Sequence, residues 1–108
     1  MTQHIVVFVT AGSEAEIEAI AKGLVSEHLA TCVNIISSIR SFYRWQGRIA
    51  DDREWLLMIK TQAAAFNALA TRVQPLHSYE VPEVIALPIL AGAPDYLDWI
   101  QQETRGED

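Results

Sequence analysis

The chain of 108 residues is half hydrophobic and one-fifth charged, and its 14 acidic against 8 basic residues leave a net charge of −6. That balance excludes a disordered chain and predicts one folded domain over residues 1–108, burying roughly 65% of its unfolded surface. Basic residues scattered from Lys22 to Arg105 on an acidic background exclude nucleic acid as a partner, because phosphate would be repelled.

The longest apolar run, Ile5-Val6-Val7-Phe8-Val9, is far short of the ~20 residues of a membrane helix, and no signal-peptide pattern precedes it. A lone cysteine, Cys32, predicts a reducing, cytoplasmic setting.

In chain order, Ile5–Val9 reads as a β-branched strand covered on both faces. Ser13 opens a helix as a capping box with Glu16, and Ile17, Ile20, Leu24 and His28 follow on one stripe. Thr31–Trp45 and Arg48–Thr61 read as two long strands joined at Gln46-Gly47. Their outer halves exceed what a small core requires and should project as an arm.

A second helix carries Phe66, Leu69, Val73 and Leu76, with Pro75 marking its end. Val84–Leu90 is a fourth strand, placed at an edge by Pro82 and Pro88. Asp95–Thr104 forms a terminal helix bearing Tyr96 and Trp99. The order βαββαβα, with right-handed crossovers, predicts an α+β fold: a split βαβ antiparallel sheet in the order 4-1-3-2. Helices on one face leave the other face apolar and bare, which calls for a second copy of the chain.

The segment His77-Ser78-Tyr79-Glu80-Val81-Pro82-Glu83 gathers an imidazole, a phenol and two carboxylates. His77, Glu80 and Glu83 are three apart, and imidazole with carboxylate suits copper or another divalent metal. Equally, His77 can close the helix end and donate to a backbone carbonyl. Cys32 is either a soft metal ligand or a small buried hydrophobe. Tyr43, Trp45 and Trp55 cluster on the arm, with Trp99 nearby in type, as residues for packing between subunits. Tyr79, Glu80 and Lys60 either line a cleft between subunits, or Glu80 and Lys60 form an ion pair. Gly12 alone makes no phosphate loop, and no dyad or triad supplies a catalytic residue, so an enzyme is not predicted.

Several motifs in order are similar to the divalent-cation tolerance (CutA) family. They are Cys32-Val33-Asn34-Ile35-Ile36, Ser41–Ile49, Glu54–Thr61, His77–Ile89 and Tyr96-Leu97-Asp98-Trp99-Ile100. The resemblance implies a ferredoxin-like fold, a tight homotrimer, and a response to divalent metals, copper above all. Of the metal-binding set it implies, Cys32 and His77 are present, while Val9 and Leu76 stand where some relatives have Cys and His. It also implies two other uses of the clefts between subunits: small-ligand sensing as in PII-type trimers, or protein anchoring.

Overall fold

A computed structural model describes residues 3–105. Its elements are β1 (His4–Ala11), α1 (Glu14–Ser26), β2 (Cys32–Trp45), β3 (Arg48–Gln62), α2 (Phe66–Leu76), β4 (Val84–Pro88) and α3 (Pro94–Glu103). A single 3-10 turn, Ala63–Ala65, leads into α2. The four strands form one antiparallel sheet in the order β2-β3-β1-β4, the predicted order read from the other side.

Alternation along the strands divides the sheet into two faces. Val7, Val9, Leu57 and Ile59 are fully buried with Ile17, Ile20 and Leu24 of α1 and Leu69 and Val73 of α2. On the other face, Leu87 stands beside Val6, and Ile85, Phe8 and Met58 lie in one row. No helix covers that row, and Ile85 and Leu87 are each more than half exposed. α3 instead closes the end of the sheet, where the Thr31 hydroxyl donates to the Ile100 carbonyl at 2.9 Å.

The arm forms as its sequence predicts. Gln46 and Gly47 both take positive φ, 50° and 77°, the two-residue turn whose twist matches that of a hairpin. The radius of gyration is 14.3 Å and the long axis 44 Å; a compact chain of this length would give ~13 Å. Between Ile36 and Ile39 the register slips, and Ser38 sits at φ 63°, so β2 carries one extra residue there. Even-numbered residues of β2 therefore face the open side before the bulge, and odd-numbered ones after it.

Two expectations need correction. The fourth strand ends at Pro88 rather than Leu90, although one further bond, from the Ile89 amide to the His4 carbonyl at 3.0 Å, continues its contact with β1. The capping box is only half made: the Ser13 hydroxyl accepts from the Glu16 amide at 3.2 Å, but the Glu16 carboxylate turns elsewhere.

Candidate functional site

His77 caps α2 and is folded inward, its side chain wholly buried. Nε2 donates to the Thr10 carbonyl on β1 at 2.6 Å, and Nδ1 accepts from the Tyr79 amide at 3.1 Å. Those two bonds fix one neutral tautomer, with the proton on Nε2. Glu16 Oε2 lies 3.2 Å from Nδ1 and accepts from the Ser78 amide at 3.2 Å. An ion pair between Glu16 and His77 would need a proton on Nδ1, where the Tyr79 amide already points. The Glu16 carboxylate therefore acts as an acceptor for the loop.

Turning the loop this way carries the Tyr79 hydroxyl to Glu54 Oε2, 2.7 Å away. A Cβ on Gly12 would stand 3.0 Å from that hydroxyl, so the glycine leaves room for the phenol. Alongside, the Tyr43 hydroxyl donates to Asp52. The Tyr79 phenol is pushed well above the usual tyrosine range, by burial first and then by its bond to Glu54 and that carboxylate's charge. Glu83 is also held above the usual carboxylate range, by burial and then by the Glu54 charge. Two phenols and three carboxylates thus converge where the arm leaves the sheet.

Between the arm and the loop lies a groove of about 740 Å3. Glu54, Glu80 and Glu83 supply its charge, and Tyr43, Trp45 and Tyr79 its aromatic walls. Arg40 and Phe42 line it as well, and both oxygens of Asp51 hold the Arg40 guanidinium, at 2.8 and 2.9 Å, over the Phe42 ring.

The other residues singled out from sequence lie elsewhere in the subunit. Cys32 is half-buried at the far end of the open face, level with Lys60 and Val6. His77 is bonded at Thr10, four residues further along β1, or roughly 14 Å in the strand direction. The Lys60 ammonium donates to Asn34 Oδ1, so it pairs with neither Glu80 nor the groove. Trp55 packs against the core, and Trp99 against Tyr96 with ring centroids 5.6 Å apart. Among the described residues no three His, Cys, Asp or Glu side chains converge as a metal site, and both His77 nitrogens are already engaged. One subunit therefore does not fit a high-affinity metal centre. The residues that sequence reasoning missed are Glu54 and Asp52, whose partners are distant in the chain or across the hairpin.

The sheet order and helix placement define an α+β protein of split βαβ connectivity. A family model, the CutA1 divalent ion tolerance protein, matches residues 5–103. The chain belongs to that family. It is 50% identical over 99 residues to the divalent-cation tolerance protein CutA of Thermus thermophilus, covering 92% of this chain and 96% of that one. It is 47% identical to human Protein CutA over 90% of this chain, but spans only 54% of the human protein. The mouse, human and plant relatives are matched over about half their length.

Among solved structures, the Thermus thermophilus protein superposes with a TM-score of 0.92 at 49% identity, over 94% of this chain and 99% of that one. The periplasmic CutA of Archaeoglobus fulgidus gives 0.90 at 39% identity, over 93% and 97%. Relatives thus include proteins described as chloroplastic and as periplasmic. No described helix of this chain is long and apolar enough to cross a membrane.

Proposed function

We propose that this protein acts in divalent-cation tolerance as a cytoplasmic homotrimer without catalytic turnover, and that its contact with copper or a related ion is weak or indirect. The observation that carries the reading is the uncovered sheet face. An isolated domain does not stably expose a row such as Ile85, Phe8 and Met58 beside Leu87, and three copies packed by that face would bury it. The projecting arm would then reach a neighbouring copy. Weak or indirect metal contact follows from the sealed state of His77 and the distance to Cys32. Any stronger site would need Cys32, Glu80 or Glu83 to meet residues of another subunit.

Light scattering on the eluting protein tests the assembly, with an expected mass of three times 12.1 kDa. A stable monomer would overturn it. Copper titration of the same sample should show weak binding that His77→Gln leaves unchanged. Tight binding of one ion per subunit, lost in that variant, would overturn the metal half. A second reading, a trimeric small-ligand sensor, is favoured by the groove beneath the arm.

A further inference from the structure

The helix side of the sheet carries a second groove, of about 530 Å3, within the range of small-molecule pockets, about 300–1,000 Å3. Ala68, Thr71, Arg72 and Pro75 form one wall, at the i, i+3, i+4, i+7 spacing of a single face of α2. Glu27, at the end of α1, and Arg105, just beyond α3, border it as well. α1 and α2 cover the face of the sheet opposite the bare row. Copies packed by that row therefore leave this groove open.

The charge here runs against that of the chain as a whole. The net charge is −6, and Arg40, Arg44, Arg48 and Arg53 all stand on the arm. Arg72 and Arg105 nevertheless share one groove, against a single carboxylate. That carboxylate is already occupied, because the Arg72 Nε–H is shared between the two oxygens of Glu27, at 3.0 and 2.9 Å. Pairing through Nε leaves both Nη groups of Arg72 without an acceptor among the described residues, and the Arg105 guanidinium is equally unclaimed there.

Arg105 is held at the groove by its backbone. Its amide donates to the His28 carbonyl at 2.7 Å, and His28 Nδ1 donates to the Glu103 carbonyl at 3.1 Å. His28 takes φ 61°, the left-handed turn that ends α1 and brings the chain to meet this segment. The end of α3 is thus clasped to the end of α1, next to Glu27.

The complement of two guanidinium groups is an anion, and their planar forks of N–H donors match a carboxylate in paired bonds. Ala68 and Pro75, on either side of Arg72 in the stripe, offer apolar surface for an alkyl stem. We propose that this groove binds a small aliphatic carboxylate, its oxygens on Arg72 and Arg105 and its stem against Ala68 and Pro75. The site goes beyond metal tolerance and does not rest on the trimer.

Calorimetric titration of the full chain with pentanoate, at fixed low ionic strength, tests it. Pentanoate should bind saturably, with the mass by light scattering unchanged. 1-Pentanol, which has the stem without the charge, should bind about tenfold more weakly, since one hydrogen bond between charged groups is worth that much. Inorganic phosphate, which has the charge without the stem, should also bind about tenfold more weakly, for the loss of two or more buried methylenes. Arg72→Gln and Arg105→Gln should each weaken pentanoate binding about tenfold. The Arg72–Glu27 pair is more than a third exposed and contributes little to folding. Arg72→Lys keeps a partner for Glu27 but loses the fork, so it should also bind more weakly, and it stands in if Arg72→Gln does not fold.

Absence of saturable binding, phosphate or 1-pentanol binding as tight as pentanoate, or wild-type affinity in any of the three arginine variants would overturn the proposal. A fall in mass as pentanoate is added would also overturn it, because the ligand would then act at a face between copies. Monomeric protein that binds pentanoate would break the trimer reading and leave this one intact.

Discussion

His77 and Glu83 lie six residues apart in one loop, and the fold treats them in opposite ways. The imidazole is sealed, with each ring nitrogen assigned to a backbone group and Glu16 holding the next amide. The carboxylate is left at a groove, near another carboxylate and without a cation. A buried polar group that is fully satisfied rigidifies its surroundings, whereas an exposed carboxylate at a groove fixes little around it. The first half of the loop is thus a fastening that positions the second half. Two substitutions test that division on the side of structure and one on the side of the groove.

His77→Ala should have the largest effect. It strands the Thr10 carbonyl and the Tyr79 amide and leaves a void, for a loss of about 3 kcal/mol in urea unfolding. A loss below about 1 kcal/mol would show that the ring is not a fastening.

Tyr79→Phe should cost less, about 1.5 kcal/mol, by leaving Glu54 without its phenol. Its pH dependence has a definite sign. A phenol whose folded pKa lies above the usual value of about 10 contributes stability below that pH and loses it as the medium becomes more alkaline. Unfolding curves between neutral pH and pH 11 should converge for wild type and variant at the alkaline end, and parallel curves would contradict the linkage.

The smallest effect is expected from Glu83→Gln, with the opposite sense. Because folding raises the Glu83 carboxyl above its ordinary range, its ionised form is the one disfavoured in the fold. The amide variant should be slightly more stable at neutral pH, and the gain should vanish as pH falls below the ordinary carboxylate range. A less stable variant at pH 7 would mean that a cationic partner already faces Glu83, and the contrast with His77 would fail.

Much of the fold is legible in the sequence because its signals are local. The β-branched run at Ile5–Val9, the Gln46-Gly47 turn and the prolines around Val84–Leu87 each dictate their own backbone. The helix-end role of His77 is legible too, as one of two readings. What the sequence conceals is long-range. Glu16 carries every mark of a capping box, yet a loop 62 residues away offers its carboxylate an amide. The pairing of Tyr79 with Glu54 spans 25 residues and leaves no spacing to read. Lys60 and Glu80 are plausible ion partners by charge alone, but alternation puts Lys60 beside Cys32, where Asn34 is nearer.

The extra residue at Ser37-Ser38 works like a frame shift in a strand. In β3 the open side is always even-numbered, through Lys60, Met58, Leu56 and Glu54, while β2 changes from even to odd on crossing the bulge. Tyr43 and Trp45 owe their place beside Glu54 to that single change of parity. Deleting one serine and restoring a continuous ladder would turn both away and bring Phe42 and Arg44 round in their stead. The arm would keep its composition, length and turn, yet on the side of Glu54 a phenol and an indole would give way to a phenyl ring and a guanidinium. One unpaired residue, with no chemistry of its own, thus determines which of the arm's two chemistries stands on the side of Glu54.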